Sequence, residues 1–96
     1  MDKILVVEDD RFFREMYVSL LQTEGYAVDA ACCGAEAFDL LSRDNYGLVI
    51  TDLVMPDISG MEILSRVMES DPVIDVIGYR ERQSGIRHIF AQTRCP

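Results

Sequence analysis

Lysine is almost missing from this chain. Of 96 residues only Lys3 is one, and the other bases are eight arginines. No Gly-x-x-x-x-Gly-Lys run can therefore form, which excludes a P-loop nucleotide triphosphatase. Histidine is reduced to His88, with no second ligand at zinc spacing. The three cysteines, Cys32, Cys33 and Cys95, are odd in number and lack framework spacing, so a disulfide scaffold is not expected. No apolar run approaches the roughly 20 residues of a membrane span. Met1-Asp2-Lys3 lacks the basic region and apolar core of a signal peptide, so no membrane association and a cytoplasmic location are expected.

Positive charge is also scarce, and unevenly so. Residues 1–79 hold 16 acids against 5 bases, a balance of −11, whereas residues 80–96 hold four arginines and one acid, a balance of +3; together they give the net −8. An acidic body of this kind disfavours direct nucleic-acid binding. The reversal near residue 79 marks the last segment as different in kind.

What is present is a regular alternation of apolar runs and amphipathic stretches, with no internal repeat and no linker. Ile4–Val7 reads as a strand buried on both faces. Phe12, Phe13, Met16, Tyr17, Leu20 and Leu21 recur at helical spacing, and Gly25 marks the stop. Tyr26–Ala31 is a second strand, followed by a helix from Gly34 that Asn45-Tyr46-Gly47 ends. Leu48–Thr51 is a third strand, Met61, Ile63, Leu64, Val67 and Met68 line a third helix, and Val73–Ile77 is a fourth strand. The order β-α-β-α-β-α-β predicts an α/β doubly wound parallel sheet with helices on both faces. After Ile77 the pattern fails, and no fifth apolar strand is evident before Pro96.

Two strands end in acids. Ile4–Val7 runs into Glu8-Asp9-Asp10, and Leu48–Thr51 runs into Asp52. In an open parallel sheet, ligands collect outside the carboxyl ends of the strands. Carboxylates brought together there repel unless a divalent cation joins them, and Mg²⁺ suits a few carboxylates, several waters and phosphate oxygens. A carboxylate beside such a cation is an adequate nucleophile for phosphoryl transfer, which needs positioning and charge neutralisation above all. The plainer alternative is that Asp52 caps a loop and that Glu8, Asp9 and Asp10 favour the start of the next helix, with Asp10 as its N-cap. A phosphatase with an aspartate nucleophile would show Asp-x-Asp, but Val54 stands at the second position.

Val6-Val7-Glu8-Asp9-Asp10 and Asp52-Leu53-Val54-Met55-Pro56-Asp57-Ile58-Ser59-Gly60, at this separation, resemble the receiver domain of two-component response regulators, the CheY-like family. The resemblance runs from Lys3 through Ile77 and implies a flavodoxin-like receiver fold. It also implies a signalling phosphoprotein rather than an enzyme acting on other substrates, although receivers catalyse their own phosphorylation and dephosphorylation. Asp52 would be the phosphoacceptor, forming an aspartyl phosphate with a group taken from a sensor histidine kinase or phosphotransfer protein. Mg²⁺ would be held by Asp9, Asp52 and the backbone carbonyl of Val54, and by Glu8 through water. The first helix would offer the kinase-docking face.

The chain departs from that family at its far end. The lysine expected after strand five cannot be present, and Gly78-Tyr79-Arg80 stands where a Ser or Thr should close strand four. Residues 1–77 are therefore expected to form the receiver core and 78–96 an atypical tail, leaving an incomplete fold without the usual fifth strand and last helix. A four-stranded remnant would expose a sheet edge, from which homodimerisation is an expectation. The alternative to a working phosphoacceptor is a receiver-derived module that binds partners without being phosphorylated.

Overall fold

The structure, a computed structural model, describes residues 3–52, 60–70, 74–81 and 87–92. Among these, the elements are β1 (Lys3–Val7), α1 (Arg11–Thr23), β2 (Val28–Ala31), α2 (Gly34–Arg43), β3 (Tyr46–Asp52), α3 (Gly60–Ser70), β4 (Asp75–Glu81) and β5 (Arg87–Gln92). The sheet order is β2-β1-β3-β4-β5. Strands β1 to β4 are all parallel, as the alternation of elements predicts. Parallel neighbours need crossover connections of about a dozen residues or more, which an intervening helix supplies.

Side chains alternate between two faces along each strand. Leu5, Val7, Val49 and Val76 point to the face covered by α2 and α3, where they join Ala31, Ala37, Tyr46, Ile63, Val67 and Ile74 in one core. Leu5, Val49, Ile63 and Val76 are wholly excluded from solvent. Arg66 of α3 lies 4.5 Å over the Phe38 ring of α2 and ties the two helices together. The opposite face carries Ile4 and Val6, both buried, and is served by α1. The apolar stripe of α1 is not fully covered: Phe12 and Leu20 face solvent, and Phe13, Met16, Tyr17 and Leu21 are half-buried.

Two signals at the ends of α1 behave as read. The Asp10 carboxylate accepts from the Phe13 amide at 3.1 Å, which makes it the N-cap. At the other end Gly25 takes a φ of 95°, a left-handed angle that suits glycine. Its amide donates to Gln22 O at 2.9 Å and the Tyr26 amide donates to Leu21 O at 3.1 Å, the paired bonds of a Schellman motif.

Several boundaries differ from expectation: β2 begins at Val28 rather than Tyr26, β4 begins at Asp75 rather than Val73, and three further differences bear on the site. Tyr46 and Gly47 belong to β3 rather than to the helix stop, because Tyr46 pairs with Lys3 and is buried while its hydroxyl donates to Asp29 at 2.7 Å. Strand β4 does not stop at Ile77; Gly78 and Tyr79 continue it, paired with Thr51 and Asp52. Where no fifth strand was evident, Arg87–Gln92 lies antiparallel to β4, with Gly78 opposite Phe90 and Tyr79 opposite Ile89. An antiparallel neighbour needs no crossover helix, so a short connection suffices. The edge of β4, expected to be open, is thus paired.

Candidate functional site: an acidic cluster at the carboxyl ends of the strands

Strand β1 ends at Val7, and the chain turns through Glu8, Asp9 and Asp10 into α1. The Glu8 amide still donates to Ala31 O at 3.1 Å, extending the ladder by one residue and fixing where Glu8 lies. Arg14, one turn into α1, reaches back and donates to the carbonyls of Glu8 at 3.0 Å and Asp9 at 3.4 Å. Its guanidinium therefore holds the backbone of the acidic turn. Asp52 is the last residue of β3, level with that turn.

These placements bring one carboxylate oxygen each of Glu8, Asp9 and Asp52 within 4.8 Å of one another. Glu8 is 0% and Asp52 4% exposed, while Asp9 opens to solvent. Glu8 Oε1 is buried without a hydrogen-bond partner. Its other oxygen accepts from the Tyr79 hydroxyl. Burial pushes the Glu8 carboxyl up from 4.5 to about 7; the Tyr79 bond opposes this rise, and the neighbouring charges of Asp52 and Asp9 add to it. Burial, followed by the bond to Glu8, drives the Tyr79 phenol well above the ordinary tyrosine range.

Three carboxylates around one opening, one buried oxygen of which has no partner, are a donor set for a small hard cation. Oxygen ligands of this kind suit Mg²⁺, which keeps part of its water shell. Glu8, Asp9 and Asp52, named from the sequence, are thus brought together. Val54, named for its carbonyl, lies outside the described residues, as do Met55, Pro56 and Ser59. Sequence reasoning missed Arg14 and Tyr79. Period-two alternation continued past Ile77 puts Tyr79 on the Asp52 side of the sheet, and that was the available signal.

Residues 4–89 match the model of the response regulator receiver domain. The chain belongs to the response regulator receiver domain family. This receiver domain is 36% identical over 77 residues to the response regulator receiver protein CpdR of Brucella abortus, a match covering 80% of this chain and 64% of that protein. It is 45% identical over 64 residues to the transcriptional regulatory protein PmrA of Pectobacterium parmentieri, covering 67% of this chain but 29% of that one. Among solved structures it is similar to the response regulator TrrA of Thermotoga maritima in complex with Mg²⁺-BeF, with a TM-score of 0.75, 39% identity and coverage of 79% and 66% of the two chains. TrrA has also been solved in complex with the histidine kinase ThkA. This receiver domain therefore spans less than two thirds of the curated relatives it matches. Among its described residues no helix is long and apolar enough to cross a membrane.

Proposed function

We propose that the chain is a phosphoacceptor of a two-component relay, taking a phosphoryl group from a kinase phosphohistidine onto Asp52. The convergence of Glu8, Asp9 and Asp52, with a buried Glu8 oxygen lacking a partner, is the observation that carries this reading. A carboxylate oxygen of Asp52 attacks phosphorus in line with the leaving imidazole nitrogen. The P–N bond breaks, the imidazole leaves with the bonding pair, and an acyl phosphate remains on Asp52. Asp9, Asp52 and the Val54 carbonyl would hold Mg²⁺, with Glu8 reached through water; the cation supplies neutralisation of the charge that gathers on the phosphoryl oxygens. Arg14 keeps the turn that carries Glu8 and Asp9 in place. The complex of TrrA with its kinase supports a histidine kinase as the partner.

A second reading, a module that binds partners without phosphorylation, is favoured by one specific observation. The single lysine is committed to Asp29 and Asp44 at the amino end of β1, and Gly78 rather than a Ser or Thr follows Ile77. Intact mass after incubation with acetyl phosphate and Mg²⁺ separates the two. We expect one phosphoryl group on the unaltered chain and none on Asp52→Asn. An unmodified chain that nevertheless binds Mg²⁺ would overturn the phosphoacceptor reading in favour of the module.

A further inference from the structure

Tyr79 has no part in the reading above, yet its hydroxyl holds the Glu8 side chain. It stands opposite Asp52 in the β3–β4 register, so both residues project to one face of the sheet. It is 4% exposed, and its ring packs edge-on against Tyr17 of α1, with centroids 5.5 Å apart and planes at 62°. Seated between sheet and helix, the phenol gives its one proton to Glu8 Oε2. The other oxygen, Oε1, is buried without a partner. Beside Asp9 and Asp52, therefore, stands a carboxylate with one oxygen tied down and one acceptor open.

Mg²⁺ dehydrates reluctantly, so an ion entering from the solvent-facing Asp9 side brings waters that need acceptors. The open Glu8 oxygen can take one of them while the phenol keeps the other. We propose that Tyr79 is a positioning residue for the divalent cation: its hydroxyl pins the Glu8 carboxylate in an orientation that leaves one oxygen ready for a cation-bound water. The inference rests on the proposed Mg²⁺ site. Outer partners of this kind orient the groups nearer a metal, and their loss lowers its affinity. Here the anchor is a ring packed on α1, so the carboxylate is tied to two elements besides its own. The same bond opposes the rise that burial imposes on the Glu8 carboxyl. Because both oxygens can be served at once, the phenol bond is kept when the site loads, and its strength cancels from the binding equilibrium. What does not cancel is the order it imposes on Glu8 before the ion arrives, so removing it weakens binding.

The test is calorimetric titration with MgCl₂ of the unaltered chain, Tyr79→Phe, Glu8→Gln and the double variant, with circular dichroism to compare folding. Phenylalanine keeps the ring against Tyr17, so the fold should be retained. Tyr79→Phe should bind about fivefold more weakly, below the roughly tenfold or more lost with the partner of a direct ligand, because Glu8 acts through water. Glutamine offers a single oxygen, which the phenol takes, so in the Glu8→Gln background the same change should cost less than about twofold. A merely structural role would weaken both backgrounds alike. Tyrosine emission of the unaltered chain needs no variant, since the chain has no tryptophan. A phenol bonded to a carboxylate emits weakly, and a bond kept on loading should leave that emission unchanged while Mg²⁺ binds. Equal or tighter binding by Tyr79→Phe, an equal loss in both backgrounds, or emission that brightens on loading would overturn the positioning role alone. No Mg²⁺ binding by the unaltered chain would overturn both that role and the site on which it rests.

Discussion

The two ends of β1 carry acids under opposite conditions. At the amino end Lys3 meets Asp29 at 3.2 Å and also Asp44, and the Tyr46 hydroxyl supplements the cluster. These groups are partly open to solvent, and the two bonds hold the lysine above its ordinary range, that to Asp44 foremost. At the carboxyl end, five residues on, Glu8 is sealed in beside Asp52 and Asp9, and one of its oxygens has no partner. Arg14 stands near but gives its donors to backbone carbonyls. The first end is neutralised by the chain itself and needs nothing more. The second is held in a costly state, and such a cost points to a ligand from outside.

Breaking the comparison at Glu8 should have the largest effect. Its carboxyl titrates at about 7 in the fold against an ordinary 4.5, so the folded form keeps a proton that the unfolded chain releases between those values. Without divalent cations, stability should be greatest below pH 4.5 as far as this group is concerned, fall as pH rises through the window, and be lost above 7. Urea melts of Glu8→Gln at pH 8 in chelator should show a gain of up to about 3 kcal/mol and a flattened pH slope. A destabilised variant would mean that the carboxylate is well served in the fold.

Asp10 sharpens the comparison from within the acidic turn, because it caps a helix and takes no part in the cluster. Asp10→Ala should cost about 1 kcal/mol in the same melts. Mg²⁺ affinity should stay within about twofold, an equilibrium change of less than 0.5 kcal/mol. Weaker still should be Lys3→Met at the neutralised end. Both partners are over a third exposed, so solvent screening keeps the loss small, and it should shrink further in high salt. A loss of Mg²⁺ binding in Lys3→Met would show that the two ends are not independent.

Much of this contrast was legible in the sequence, and the reasons are local. Apolar runs of four or five residues closing on acids mark both the parallel strands and their carboxyl ends, so Glu8, Asp9 and Asp52 could be named together. Asp10 and Gly25 sit where caps are needed, and the bonds they make depend only on neighbours within a few positions. The continuation of β4 and the whole of β5 were not legible. Gly78 interrupts the apolar run, and Arg87-His88-Ile89-Phe90-Ala91-Gln92 mixes polar and apolar residues as edge strands do, without the uniform apolarity of a buried parallel strand. Pairing with β4 decides that segment, and pairing is not a local property. Tyr79 was overlooked for the same reason: its place beside Glu8 is a contact between residues 71 positions apart, made only once the sheet has formed.

The central claim is that the carboxyl end of the sheet is built for a divalent cation. Calorimetric titration of the unaltered chain and Asp9→Asn with MgCl₂ tests it most directly, since Asp9 is the solvent-facing acid of the three. The account predicts one bound ion in the unaltered chain and at least about tenfold weaker binding in the variant. Equal affinity in the two chains, or no binding in either, would contradict it.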